Sequence, residues 1–354
     1  MHPLCLSASP PQRGGEGKYL IFCIKDMTRK NKIIIAIGIF IIFIAASLGV
    51  AWYLFFSAPQ RDVTEDVFIV NKRQTKEQTL DKLKSQGFIR NKKVFKFILD
   101  VKSKDKEVEA GGYRISKNMN VWKVARKIYS ATDMKWVTIP EGYRKEQIGE
   151  ILAETLGWNN EELEKWNTVY TKMNADYLEG TYFPDTYLIP VNESGLDIAK
   201  RMTRRFDEQF APYIGQFANQ NILWTTGLKL ASIIQREAGG KSDMPLIAGI
   251  MWNRLNQGMN LEIDATIQYA RGKAENGWWA PIKSEDIINI DSPYNTYKYK
   301  GLPPHPIANP GLDAIQAVLH PEETECLFYL HDGNRQIHCA KTYEEHKLNI
   351  EKYL

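Results

Sequence analysis

The sequence predicts an α+β fold behind a single N-terminal transmembrane helix. Three observations predict it. Ile33 to Gln60 carries no charge, and Ile33 to Phe56 within it is overwhelmingly apolar. From residue 61 to about 132, short runs of strand character interleave with short helical patterns. From residue 136 to 354, longer helical periodicity dominates, with shorter strands later.

A helix over 33–56, rising about 1.5 Å per residue, exceeds the ~30 Å hydrocarbon core and spans it with some tilt. Trp52, Tyr53, Phe55 and Phe56 stand at its distal end, as an interfacial belt does. A cleaved signal peptide is the competing reading. The run is longer than such a segment needs, and no clear small-residue cleavage site comes after it. Charge sets the orientation. Of 46 basic and 42 acidic residues, six basic (Arg13, Lys18, Lys25, Arg29, Lys30, Lys32) and two acidic (Glu16, Asp26) precede residue 33. The rest of the chain is balanced, so the net +4 sits on the N-terminal flank. Basic residues stay inside. Residues 1–32 are therefore expected in the cytoplasm, with residues 61–354 outside it and the chain anchored in the bacterial inner membrane. A neutral ectodomain also argues against a nucleic-acid partner. Residues 1–26 differ in character from the rest of the chain, and Met27-Thr28-Arg29-Lys30-Asn31-Lys32 reads as a natural start; a short cytoplasmic tail is the alternative.

Residues 61–132 form the first expected unit. It has a strand at 67–70, a helix over 77–86 stopped by Gly87, a second helix over 93–101, a turn and strand at 111–115 and a third helix over 121–129. The second unit, 136–354, opens with a strand and turn in Val137-Thr138-Ile139-Pro140-Glu141-Gly142-Tyr143. Helical patterns continue near 144–156, 195–211 and 222–238.

The last of these carries the most informative residue. In Leu230-Ala231-Ser232-Ile233-Ile234-Gln235-Arg236-Glu237, the apolar positions Leu230, Ile233 and Ile234 recur at helical spacing, and Glu237 comes next on the same face. Gly239-Gly240 is the expected helix stop. A carboxyl in the last turn sees the negative end of the helix dipole, and a buried face desolvates it. Both effects favour the protonated form, as a general acid near neutral pH requires. A core-edge glutamate paired with an arginine would give the same pattern.

Four further segments share a composition of Tyr, Asn, Asp and Thr mixed with Gly and Pro. They are Glu179-Gly180-Thr181-Tyr182-Phe183-Pro184-Asp185-Thr186-Tyr187; Asn253-Arg254-Leu255-Asn256-Gln257-Gly258-Met259; Asp264-Ala265-Thr266-Ile267-Gln268-Tyr269; and Ser292-Pro293-Tyr294-Asn295-Thr296-Tyr297, continuing to Gly311. Aromatic faces with fixed polar groups suit sugar rings, and such loops are expected to hold them on a scaffold. With these motifs in this order, the chain from about residue 30 to its end resembles the YceG-like (MltG) endolytic murein transglycosylases.

That resemblance implies a LysM-like first unit that grips glycan; a plain spacer is the alternative. It implies peptidoglycan strands as substrate, membrane-bound peptidoglycan synthases as partners and no cofactor. It places the acid/base on Glu237, the second acidic position of the family's Ala-Ser-Ile-Ile-Glu-Lys-Glu-type segment. The first acidic position is Gln235 here, and Asp264-Ala265-Thr266 stands for the commoner Asp-Pro-Thr. Asn253, Asp264, Tyr294 and Asn295 are candidates for sugar contacts or for orienting Glu237, with turn or capping roles as alternatives. Glu179, Asp185, Gln235, Thr266 and Tyr269 complete the expected substrate-binding set. Two other classes compete: a tethered glycan-binding protein without catalysis, and a hydrolase using Glu237 with a second acid such as Asp264 or Glu179.

Other chemistries find less support. Gly240-Lys241-Ser242 imitates the end of a phosphate-binding loop, but Gln235 stands where that loop needs glycine, and a helix precedes it. Cys326, His331, His338, Cys339 and His346 match no common zinc spacing, and no metal is expected. A hairpin turning at Asp332-Gly333 explains them better: pairing His331 with Asn334 puts Cys326 opposite Cys339, where a disulfide or two free thiols would sit. No Gly-x-Ser-x-Gly elbow exists, and Ser232 reads as a core residue.

Overall fold

The computed structural model describes residues 29–61, 64–102, 107–172 and 179–354. The expected start at Met27 and most of the N-terminal flank lie outside these residues. The α+β expectation holds. Helix α1 (Arg29–Phe56) is long and apolar enough to cross a bilayer, and none of its residues is buried.

The chain divides into two compact units. The first comprises residues up to 68 together with 74–108 and 114–130. The second comprises 69–73, 109–113 and 131–354. The last crossing falls between residues 130 and 131, and two short stretches upstream of it count with the second unit.

In the first unit, α2 (Lys76–Ser85) starts from a capping box in which Thr75 accepts the Gln78 N–H, and Gly87 at φ 77° ends the turn beyond it. Helices α3 (Lys92–Lys102) and α4 (Val121–Ile128) come after it. Phe68, Leu80, Leu83, Phe88, Phe95 and Ile98 form its interior. The exit of α1 is tied to this unit. Arg90 donates to the Ala58 carbonyl at 2.9 Å and lies over the Tyr53 ring at 5.2 Å, while Phe56 stacks on Trp122 at 6.2 Å.

A four-stranded sheet runs in the order β1 (Asp66–Val70), β2 (Gly111–Ile115), β3 (Met134–Thr138), β4 (Thr186–Pro190). Strands β3 and β4 are antiparallel, with Trp136 opposite Leu188, and Gly112 pairs with Met134. Helices α5 (Lys145–Leu156) and α6 (Asn160–Thr168) pack with this sheet around Val137, Ile148, Leu152, Trp166 and Ile189.

The larger core lies among α7 (Gly195–Asn219), α8 (Trp224–Glu237), α9 (Met244–Asn256) and α12 (Leu312–Leu319). Gly227 lets α7 and α8 approach: a Cβ there would stand 2.3 Å from Phe217. Ser232 is fully buried, donating to the Lys229 carbonyl and accepting the Ile307 N–H at 3.0 Å, a structural role. Helices α10 (Asp264–Arg271) and α11 (Ser284–Asn289), the hairpin β5 (Phe328–His331) and β6 (Ile337–Ala340), and α13 (Tyr343–Tyr353) complete the unit.

Two expectations change. Asn253, Asp264, Thr266 and Tyr269 lie on helices, not loops. The hairpin also has another register: His331 faces Ile337, and Cys339 faces Tyr329. The cause is Asp332, whose side chain accepts the N–H groups of Asn334 and Gln336 and widens the turn, with Arg335 left-handed at φ 63°. Cys326 precedes β5, yet it bonds Cys339, with Cα atoms 5.9 Å apart.

Candidate active site

The second unit holds a cleft of about 560 Å³ walled by α8, α10 and the hairpin. Helix α8 delivers Glu237 to it. Leu230, Ile233 and Ile234 are fully buried and fix the orientation of that face. The helix stops at Glu237, and Ala238 is extended. The stop comes just ahead of Gly239-Gly240 because the Asp243 carboxylate accepts both glycine N–H groups, at 2.9 and 3.1 Å.

Glu237 is half-buried and lines the cleft. Burial pushes its carboxyl above the ordinary range. The Tyr329 hydroxyl, donating to Oε2 at 2.7 Å, acts against that rise, and the charge of Asp264 adds to it. Burial and the neighbouring Glu237 in turn hold the Tyr329 phenol far up, so it stays a donor. Asp264, the first residue of α10, accepts the Tyr297 hydroxyl at 2.5 Å. Three carboxyls thus line one cleft: Glu237 and Asp264, each held by a tyrosine, and Glu262, paired with Arg254 at 3.1 Å.

Aromatic rings edge the cleft. Trp279 is held by the Arg236 guanidinium stacked at 4.1 Å, and Phe328 by that of Arg254 at 5.0 Å. Arg254 is buried and donates to the carbonyls of Leu327 (2.6 Å) and Leu261 (2.8 Å), fastening the start of β5 to the loop before α10. His331 Nε2 lies 2.7 Å from Asp243 Oδ2. Burial opposes the Asp243 carboxylate, but His331 and the two glycine N–H groups outweigh it and hold its pKa below the usual value.

Of the residues expected from sequence, Glu237 and Asp264 line the cleft. The others do not, and each has another partner. Glu179 is wholly buried, accepting the Lys145 N–H and, at 2.6 Å, the Asn309 amide. Burial, with the charge of Glu146, holds its carboxyl well above the usual range. Asp185 pairs with Arg205 at 2.9 Å, and Gln235 accepts the Gly311 N–H at 3.0 Å. Asn253 donates to the carbonyls of Thr324 and Cys326. Thr266 is bonded to Thr296, Tyr269 lies against Tyr294 at 4.9 Å, and Asn295 donates to the carbonyls of Ile287 and Ile290. Most of these residues anchor backbone or helices around the cleft; the tyrosine pair flanks the buried Arg144, which stacks on Tyr269 at 4.2 Å.

Sequence reasoning missed Tyr329, Tyr297, Trp279 and His331. The alternation Phe328-Tyr329-Leu330-His331 was the available signal for two of them. Among the described residues, no cluster of His, Cys, Asp or Glu suits a metal ion. His331 pairs with Asp243 and His338 with Asp332, and the cysteines bond each other.

Fold and cleft together define an α+β protein with a desolvated carboxyl at the base of an aromatic-edged opening. A sequence profile of the YceG-like family matches residues 68–352, and the chain belongs to that family. It is 32% identical to an endolytic murein transglycosylase of Bacillus subtilis, over 77% of this chain and 80% of that relative. It is 28% identical to an endolytic murein transglycosylase of Streptococcus pneumoniae, where it spans 55% of the longer relative. The crystal structure of a yceG-like protein from Listeria monocytogenes matches with a TM-score of 0.56 at 26% identity, covering 81% of this chain and 99% of that one.

Proposed function

We propose that this chain is a membrane-anchored endolytic lytic transglycosylase. It cleaves the MurNAc-β-1,4-GlcNAc bond of nascent glycan strands, leaves 1,6-anhydro-MurNAc ends and terminates strand elongation. One observation carries the reading: Glu237 is desolvated, bonded to Tyr329 and open to a cleft large enough for sugar rings. The two relatives named as endolytic murein transglycosylases support it.

One acid suffices for this chemistry. Protonated Glu237 gives its proton to the departing N-acetylglucosamine oxygen. The resulting carboxylate then takes the proton of the C6 hydroxyl of N-acetylmuramic acid as that oxygen closes onto C1. The nucleophile belongs to the same sugar, which lowers the entropic barrier. No water is consumed. Tyr329 stabilises the carboxylate between the two transfers. The basic flank before α1 puts residues 1–32 in the cytoplasm, and resemblance to the family puts the catalytic unit beside membrane-bound synthases.

A second reading comes from Asp264, which faces the same cleft: a hydrolase with two carboxyls. Digesting uncrosslinked glycan and weighing the products decides. Anhydro ends support the transglycosylase, reducing ends the hydrolase, and uncut strands a binding protein.

A further inference from the structure

A second cavity, of about 330 Å³, lies beyond the His331–Asp243 pair from the catalytic cleft. His331 lines the first cavity and Asp243 the second. Gly239-Gly240, immediately after the helix that ends in Glu237, forms part of its wall. That wall is thin. A Cβ on Gly239 would stand 3.2 Å from the His331 ring and 3.3 Å from the Arg335 carbonyl. The second space therefore adjoins the catalytic cleft across the His331–Asp243 pair.

The opposite walls carry groups that the fold does not use. Among the described residues, the side chains of Arg335, Glu322, Gln336 and Ser242 have no hydrogen-bonded or ionic partner in the protein, and all four line the cavity. Their backbones are nevertheless fixed. Arg335 is left-handed at φ 63° and donates its N–H to the Asp332 carbonyl at 2.8 Å. The Glu322 N–H donates to the Pro245 carbonyl at 2.9 Å, and Gly249 leaves room for the Glu322 carbonyl, which would stand 2.2 Å from a Cβ there. A guanidinium, a carboxylate, an amide and a hydroxyl on a rigid frame suit a short peptide bearing carboxylate and amine groups. They do not suit a further sugar ring, because the lining offers no aromatic face.

We propose that this cavity binds the stem peptide of the muramic acid being cleaved, with Arg335 gripping a peptide carboxylate. The proposal rests on the glycan-cleaving reading of Glu237. It makes Arg335 a specificity determinant that acts on substrate choice and leaves the chemistry at Glu237 alone.

The test compares two polymers with the full-length chain in detergent: uncrosslinked strands bearing stem peptides, and the same strands stripped of peptide by an amidase. Arg335→Asn is the informative variant, since asparagine tolerates the left-handed backbone. Its kcat/KM on peptide-bearing strands should fall about tenfold, the loss of one hydrogen bond to a charged group, while stripped strands are cut as by the parent. Arg335→Lys should recover part of the loss. An equal fall on both polymers would mean that the residue merely steadies the hairpin, and no fall on either would leave the cavity without this ligand. Both results overturn the subsite while leaving the catalytic reading intact. If the parent cuts neither polymer, the catalytic reading goes, and the subsite goes with it.

Discussion

A carboxyl that must release a proton and then take one back needs a pKa near the working pH. At Glu237, burial and Asp264 favour the neutral acid, and the Tyr329 hydroxyl favours the carboxylate. Glu237→Gln keeps the shape and abolishes the proton. Turnover on isolated glycan should fall at least ~100-fold with the fold intact; near-normal turnover would refute the assignment. Gln235→Ala should cost less, because that amide holds the Gly311 N–H and moves no proton. The acid must start protonated, so activity falls as pH rises through its pKa. Tyr329→Phe removes a donor to the carboxylate and raises that pKa further. The alkaline limb of the kcat profile should therefore move to higher pH while the plateau drops. A limb that moves down, or stays, would separate Tyr329 from the titration. Glu237 was legible because three apolar residues at helical spacing marked its face. Tyr329 was not, because it reaches Glu237 from 92 positions away, a contact set by tertiary packing.

Among the elements, α2, α4 and α5 were readable from caps and periodicity, and β1 and β2 from short apolar runs beside turn residues. Strand β4 was hidden because Pro184 precedes it and Pro190 ends it, and such residues usually mark loops. Helix α9 went unread, because the Asn- and Gly-rich run from Asn253 reads as loop; its apolar face (Ile247, Ile250, Met251) is fully buried. The hairpin was legible as a pair of strands but not in register, since the Asp332 side chain chooses the turn. Its disulfide joins residues 13 apart. Replacing both cysteines by serine should lower Tm by roughly 4–8 °C, as loss of about 2 kcal/mol does in a domain of this size. Activity well below Tm should persist, because Asn253 and Arg254 still hold the carbonyls of Cys326 and Leu327. Loss of activity at low temperature, with Tm unchanged, would reverse that ordering of roles.

For the whole molecule, every residue assigned to chemistry lies far beyond α1. A chain lacking residues 1–60 should be soluble without detergent and should still cut isolated strands. A folded truncation that cuts nothing would give the bilayer a part in the site, or return the protein to glycan binding. A reporter fused after Leu354 should work only when it is of a kind active outside the cytoplasm; cytoplasmic activity would refute the topology and, with it, access to nascent strands.

The chain enters the second unit twice before it settles there, at 69–73 and again at 109–113. A recombinant fragment begun at Trp136, where the sequence suggests a domain starts, would lack both β2 and the Met134-Lys135 stretch of β3 that pairs with Pro190 and Ile189 of β4. The remaining strands would then present bare N–H and C=O groups to any other copy in solution. Such a fragment should grow into oligomers as its concentration rises, as light scattering would detect, whereas one begun at residue 61 should stay monomeric. The shortest self-sufficient piece is therefore set by who completes the sheet, and its first residue lies well upstream of where the helices of the cleft begin to be read.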